Sequence, residues 1–111
     1  MRKFHREKGP RRAFLKGLVN NLVMKGKIRT TVPRAKEIRP IVERLVSIAK
    51  KQQLASLRLL ISRSSKDVAQ KLFQDIAPQY KERNGGYLRI TRESKVRHRD
   101  AAPMAIIEFI K

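Results

Sequence analysis

Phe14, Leu15, Leu18, Val19, Leu22 and Val23 recur at the spacing of one helix face. Pro10 suits a first helical position, because the N–H it lacks would be unpaired there anyway. Gly26, with Lys25 just before it, suits a C-terminal end. An amphipathic helix from Pro10 to about Lys25 follows. The period then shortens to two: Ile28, Thr30 and Val32 share one side, Arg29 and Thr31 the other, which predicts a short strand over Lys27 to Val32. Helical spacing returns after Pro33, with Ile38, Val42, Leu45 and Ala49 as a stripe and Ile41, Val46 and Ile48 beside it, to about Lys51. Pro40 falls inside this pattern and deletes one backbone hydrogen bond, so a kink or an early break is expected there.

Leu54 to Arg63 reads as a short helix with Leu57, Leu60 and Ile61 inward. Ser64, with Asp67 three residues on, resembles a capping box for the next helix. Val68, Leu72, Phe73 and Ile76 carry that helix, and Pro78 is expected to stop it. Asn84, Gly85 and Gly86 all tolerate positive φ and mark a turn. Tyr87 to Arg92 reads as a strand and Glu93 to Pro103 as a loop. Met104 to Ile110 reads as a last strand, apolar at both parities and so central and covered on both faces. The order gives an α+β fold, a small three-stranded sheet covered by about four helices, with residues 1–9 as an extended basic arm and 10–111 as a single domain.

Charge changes the picture more than any other property. The chain has 111 residues, with 28 Lys and Arg against 9 Asp and Glu, a net charge of +19. Its 41% hydrophobic content suffices for a core. Such an excess repels itself, so it implies a polyanion: nucleic acid first, an anionic membrane surface second. No apolar run approaches the roughly 18 residues of a membrane span, so no membrane insertion is expected. The basic start followed by an apolar stretch loosely mimics a secretory signal, but Lys16, Asn20 and Asn21 interrupt it. Absence of cysteine excludes a disulfide framework and cysteine metal sites. Residues 1–39 carry a net +11 and residues 89–99 a net +4, whereas residues 40–88, at +5, are closer to an ordinary surface.

Candidate chemistry is correspondingly one-sided. The acids are scattered singly near cations, no phosphate-binding glycine loop follows a strand, and no pair of titratable groups is spaced for acid–base work, so neither an enzyme, a small-molecule substrate nor a cofactor is expected. The arm and the start of the first helix hold Arg2, Lys3, His5, Arg6, Lys8, Arg11 and Arg12, with Lys16 on the polar face beyond. Such a segment can lie in an RNA groove, each cation displacing a condensed counterion; a disordered solubilising tail is the alternative. Lys27 and Arg29 sit on the first strand. Arg34, Lys36 and Arg39 open the second helix, where the dipole disfavours cations, so something outside the fold is expected to offset the cost. The third cluster is Arg89, Arg92, Lys95, Arg97, His98 and Arg99, on a strand and the loop after it, with a mobile hairpin as the alternative. Both histidines stand among cations, which suits neutral contacts rather than general-base work.

Three stretches resemble the bacterial-type large-subunit ribosomal protein L17 family: Lys27-Ile28-Arg29-Thr30-Thr31-Val32-Pro33-Arg34-Ala35-Lys36-Glu37, then Arg83-Asn84-Gly85-Gly86-Tyr87-Leu88-Arg89-Ile90, then Arg99-Asp100-Ala101-Ala102-Pro103-Met104-Ala105-Ile106-Ile107-Glu108. The resemblance runs over nearly the whole chain. It implies a cytoplasmic, non-catalytic, rRNA-binding constituent of the large ribosomal subunit near the rim of the peptide exit tunnel, with neighbouring large-subunit ribosomal proteins as partners. An organellar ribosome is the alternative location. The arm departs from the family pattern: it is shorter, Pro10-Arg11 stands where a His-Arg pair is usual, and the histidine comes earlier, at His5. A DNA-binding architectural protein is the rival from another class, though neither a heptad seam nor a helix-turn-helix pattern is present. If six to ten phosphates are neutralised, raising salt from about 50 to 200 mM should weaken RNA binding roughly a thousandfold or more. A flat salt titration would remove charge as the source of affinity.

Overall fold

The computed structural model describes the backbone of residues 8–96 and 102–110, and side chains over 12–93 and 102–110. Its elements are α1 (Lys8–Lys25), β1 (Lys27–Thr31), α2 (Val32–Ala49), α3 (Leu54–Arg63), α4 (Lys66–Lys71), β2 (Leu88–Val96) and β3 (Pro103–Phe109). The sheet is antiparallel with order β1-β3-β2. The α+β class and the central place of the last strand are therefore as the sequence predicts. Residues 1–7, most of the expected arm, lie outside the described residues, and α1 starts two residues earlier than expected, at Lys8.

Side-chain alternation gives the sheet two unlike faces. Ile28, Ile107 and Ile90 form one cross-strand row, and this face packs on the helices. Lys27, Glu108 and Arg89 form the next row, on the opposite face. No described helix covers that face, so the expectation that β3 is buried on both sides holds only in part. Met104 is buried there, but Ile106 is only partly so. Arg29, directly across from Ile106, reaches over β3 to Glu93 on the far strand, and the stems of such long side chains shield Ile106 in place of a helix.

The helices share one core. Ile38, Val42, Val46 and Ala49 of α2 are fully buried against Leu22 and Val23 of α1, Leu60 of α3 and Leu72 beyond α4. The helix runs through Pro40, so of the two expected outcomes the break does not occur. Pro40 is exposed, so water can satisfy the Lys36 carbonyl that loses its donor, while the buried residues on either side hold the helix together.

Four further expectations are corrected. Ile61 is 39% exposed and not inward. The cap of α4 is Ser65, whose hydroxyl accepts from the Val68 N–H at 3.3 Å, whereas Ser64 closes α3 by donating to the Leu60 carbonyl at 2.7 Å. Pro78 does not stop the chain's helical course: after α4 it widens into a π-turn over Leu72–Ile76 and tightens into a 3-10 turn over Ala77–Tyr80. Proline fits the start of that last turn, where no N–H is required, and burial of Ala77 and Tyr80 keeps the chain coiled. The strand after the glycines also runs on to Val96, with a register irregularity between Arg92 and Val96, where a loop was expected.

Two glycines test the backbone. An added Cβ would meet open space at both Gly17 and Gly26, so conformation alone sets the sign. Gly17 lies within α1, where Gly17→Ala should stabilise by about 0.5–1 kcal/mol. Gly26 has φ +83°, and Gly26→Ala should destabilise by about 1 kcal/mol. Opposite shifts of the urea midpoint check the pair; shifts of one sign would contradict the α1–β1 junction.

Candidate nucleic-acid interface

The topology brings the separate basic segments to one end of the molecule. Thr31 pairs with Met104 and Val96 with Pro103, so β1 and β2 end, and β3 begins, at the same edge of the sheet. α2 starts there, directly after β1. The guanidinium of Arg34, in its first turn, stacks 4.8 Å from the ring centroid of Phe14 on α1. The first turns of α1, the start of α2 and the ends of the β2–β3 connection are thus neighbours.

The candidate cations occupy different settings. Arg12, Lys16, Lys27, Lys36 and Arg92 are exposed. Arg34 is half-buried against Phe14, so part of the compensation for its place at a helix N-terminus lies inside the fold. Arg29, Arg39 and Arg89 are ion-paired: Arg29 with Glu93 at 2.7 Å, Arg39 with Glu43 at 3.1 Å, Arg89 with Glu108 at 3.8 Å. Lys8, Arg11 and Lys95 belong to α1 and β2 by backbone, but their side chains are outside the described set. Arg2, Lys3, His5, Arg6, Arg97, His98 and Arg99 lie outside the described residues altogether.

Glu43 also shapes the glycine turn. Its second carboxylate oxygen accepts from the Gly86 N–H at 3.2 Å, so one acid holds both Arg39 and the turn. Gly85 and Gly86 take φ of +83° and +64°, while Asn84 does not share the positive φ. Behind the turn, Lys50 donates to the Tyr87 hydroxyl at 3.0 Å and to the Arg83 carbonyl. Burial raises the Tyr87 phenol, but hydrogen bonding with Lys50, Gly85 and Ser47 and the Lys50 charge together bring it below its ordinary 10.0. Tyr80 is shifted the other way, raised by burial and only partly opposed by Arg83.

Two cations that sequence reasoning left out, Arg44 and Arg63, join Arg12 and Lys16 around a groove of about 190 Å³ between α1, α2 and α3. Its floor is Leu15, Val19, Ile41 and Leu45. None of the lining residues is acidic, and among the described residues none of these four cations has a carboxylate partner. Glu43 pairs with Arg39, four residues before it, while adjacent Arg44 points to a different side of α2 and lines the groove. Arg44 follows Ile41 by one helical turn and Lys16 follows Arg12 likewise, which marks two basic flanks. That α3 adds Arg63 depends on helix packing and has no local signal.

Fold and surface define a class: a small α+β domain with arginines paired across the open sheet face and further cations gathered at one end and in one groove. Among the described residues no His, Asp and Glu side chains cluster as a metal site. The family model for ribosomal protein L17 matches residues 14–110. The chain is 51% identical over 110 residues to the large ribosomal subunit protein bL17 of Persephonella marina, covering 97% of this chain and 89% of that one. It is 44% identical to bL17 of Sulfurihydrogenibium, over 97% of this chain and 90% of the relative. The bL17 of Bdellovibrio bacteriovorus is also 44% identical, over 96% of this chain and 59% of a longer protein. The chain belongs to the ribosomal protein L17 family.

The Arg29–Glu93 pair carries a pH dependence. The hydrogen bond from Arg29 holds the Glu93 carboxyl below its ordinary 4.5. A depressed carboxyl contributes stability that is present above pH 4.5 and lost as pH falls through its lower folded value. Glu93→Gln should therefore cost a little stability at pH 7 and nothing in strong acid, small because the pair is solvent-exposed. Parallel stability curves for the two proteins from pH 7 to 2 would exclude the linkage.

Proposed function

We propose that this chain is a structural constituent of the large ribosomal subunit, not an enzyme, and that it binds rRNA through phosphate and shape contacts. The observation that carries this is the gathering of separate basic segments at one end of the fold: the first turns of α1, the start of α2 and the ends of the β2–β3 connection. The sheet holds both ends of that connection beside the start of α2, so cations from separate segments can meet one RNA. Names of relatives from three genera support the particle. Family resemblance supports a cytoplasmic ribosome, a position near the exit tunnel rim and neighbouring large-subunit proteins as partners. No described helix is long and apolar enough to cross a membrane.

Sedimentation tests this reading. In a gradient of cell extract at low salt, the protein should travel with the large subunit. Replacing Arg92, Lys95, Arg97 and Arg99 by Ser should release it at lower salt than replacing Lys51, Arg58, Lys66 and Lys81, which are exposed on α2, α3, α4 and the 3-10 turn or just beyond them. Equal release by the two variants would mean charge acts diffusely. Travel with chromosomal DNA would replace the ribosomal reading.

A further inference from the structure

We infer that the groove between α1, α2 and α3 holds one unstacked nucleobase of the bound RNA. This rests on the rRNA-binding reading and adds a site to it. The groove combines what a splayed-out nucleotide requires. Its floor is apolar, with Ile41 partly open at the surface. Its rim carries three guanidinium groups and one ammonium, from Arg12, Arg44, Arg63 and Lys16. Guanidinium planes stack on bases and reach the flanking phosphates, and RNA bases in loops and bulges are recognised in this way.

Size points the same way. About 190 Å³ lies below the roughly 300–1,000 Å³ of a drug-sized or cofactor pocket, and suits a single flat ring system. Sign points the same way too. On the sheet face the arginines are neutralised by Glu93 and Glu108, yet among the described residues no carboxylate reaches the groove's cations. Four cations left together around an apolar floor are complementary to a ligand that is flat and apolar in the middle and anionic on both sides. A base with its two phosphates fits that description. An acidic peptide with one apolar side chain would match the charge but leave the guanidinium planes unused.

The test compares purified full-length protein on three RNAs of equal length: a single strand, the same strand with one abasic site, and a duplex. The intact strand should bind about five- to a hundredfold more tightly than the abasic one, the range of one stacked base. Arg44→Lys with Arg63→Lys keeps the charge and removes two stacking planes. It should erase most of that difference while leaving the salt slope and duplex binding unchanged. Equal affinity of the wild type for intact and abasic strands, with normal salt dependence, would overturn the base site and leave RNA binding standing. Displacement of the single strand from the groove by an acidic leucine-containing peptide, with no abasic effect, would assign it to a protein partner. Failure to bind any of the three RNAs would instead overturn the rRNA reading itself.

Discussion

Everything in this fold is arranged around α2. Its inward stripe, Ile38, Val42, Val46 and Ala49, is wholly buried, and every other layer of the molecule meets it or its neighbours in the core. The sheet lies on one side, α1 and α3 on others, and the π-turn closes the remainder. With the core held on that axis, each other element has one apolar side turned in and one side left for charge. On the helices these outward sides point in different directions, which separates like charges over the described surface. They converge at the start of α2 and in the groove beside it, where like charges repel one another.

Most of the elements were legible because they are set by local period and punctuation. The stripe of α1, the short β1 and the central β3 each follow from spacing plus a proline or glycine at the boundary, and the ten residues of α3 from spacing with a serine pair after them. What was not legible depends on tertiary context. Pro40 suggests a break, yet the burial of Ile38 and Val42 around an exposed proline outweighs one lost hydrogen bond. Pro78 suggests a stop, yet Ala77 and Tyr80 gain enough by burial to coil the chain onward. The charged run after Arg92 suggests a loop, yet on an edge strand charged side chains are tolerated and even protective. Ser64 and Ser65 differ by one residue, and only the geometry decides which of them caps α4.

The candidate site divides along the same line. Sequence clusters marked the ends of the basic distribution, and pairing across the sheet shows why two of them meet: antiparallel register puts the end of β1 beside the start of β3 and the end of β2. Arg29 and Arg89 were counted as contacts from their charge, but each faces an acid on another strand, Arg29 across β3 on β2 and Arg89 on adjacent β3. Their first partner is inside the protein, and any RNA contact has to share or displace it. Arg63 was placed on an ordinary surface because it is distant in sequence from the basic ends, and only the packing of α3 brings it to the groove.

Paired and unpaired cations therefore do different work. An arginine tied to a carboxylate brings little net charge to a polyanion, and it lies over strands whose spacing the backbone ladder sets. The Arg29–Glu93 bridge spans β3 and ties the two edges of the sheet together over Ile106, on the side no helix protects. The cations without an acid keep their full charge and set the field around the molecule. A basic surface of this kind is thus not uniform: its open sheet face is electrically quiet and holds shape, while the groove beside α2 is where the field of the molecule and an apolar floor coincide.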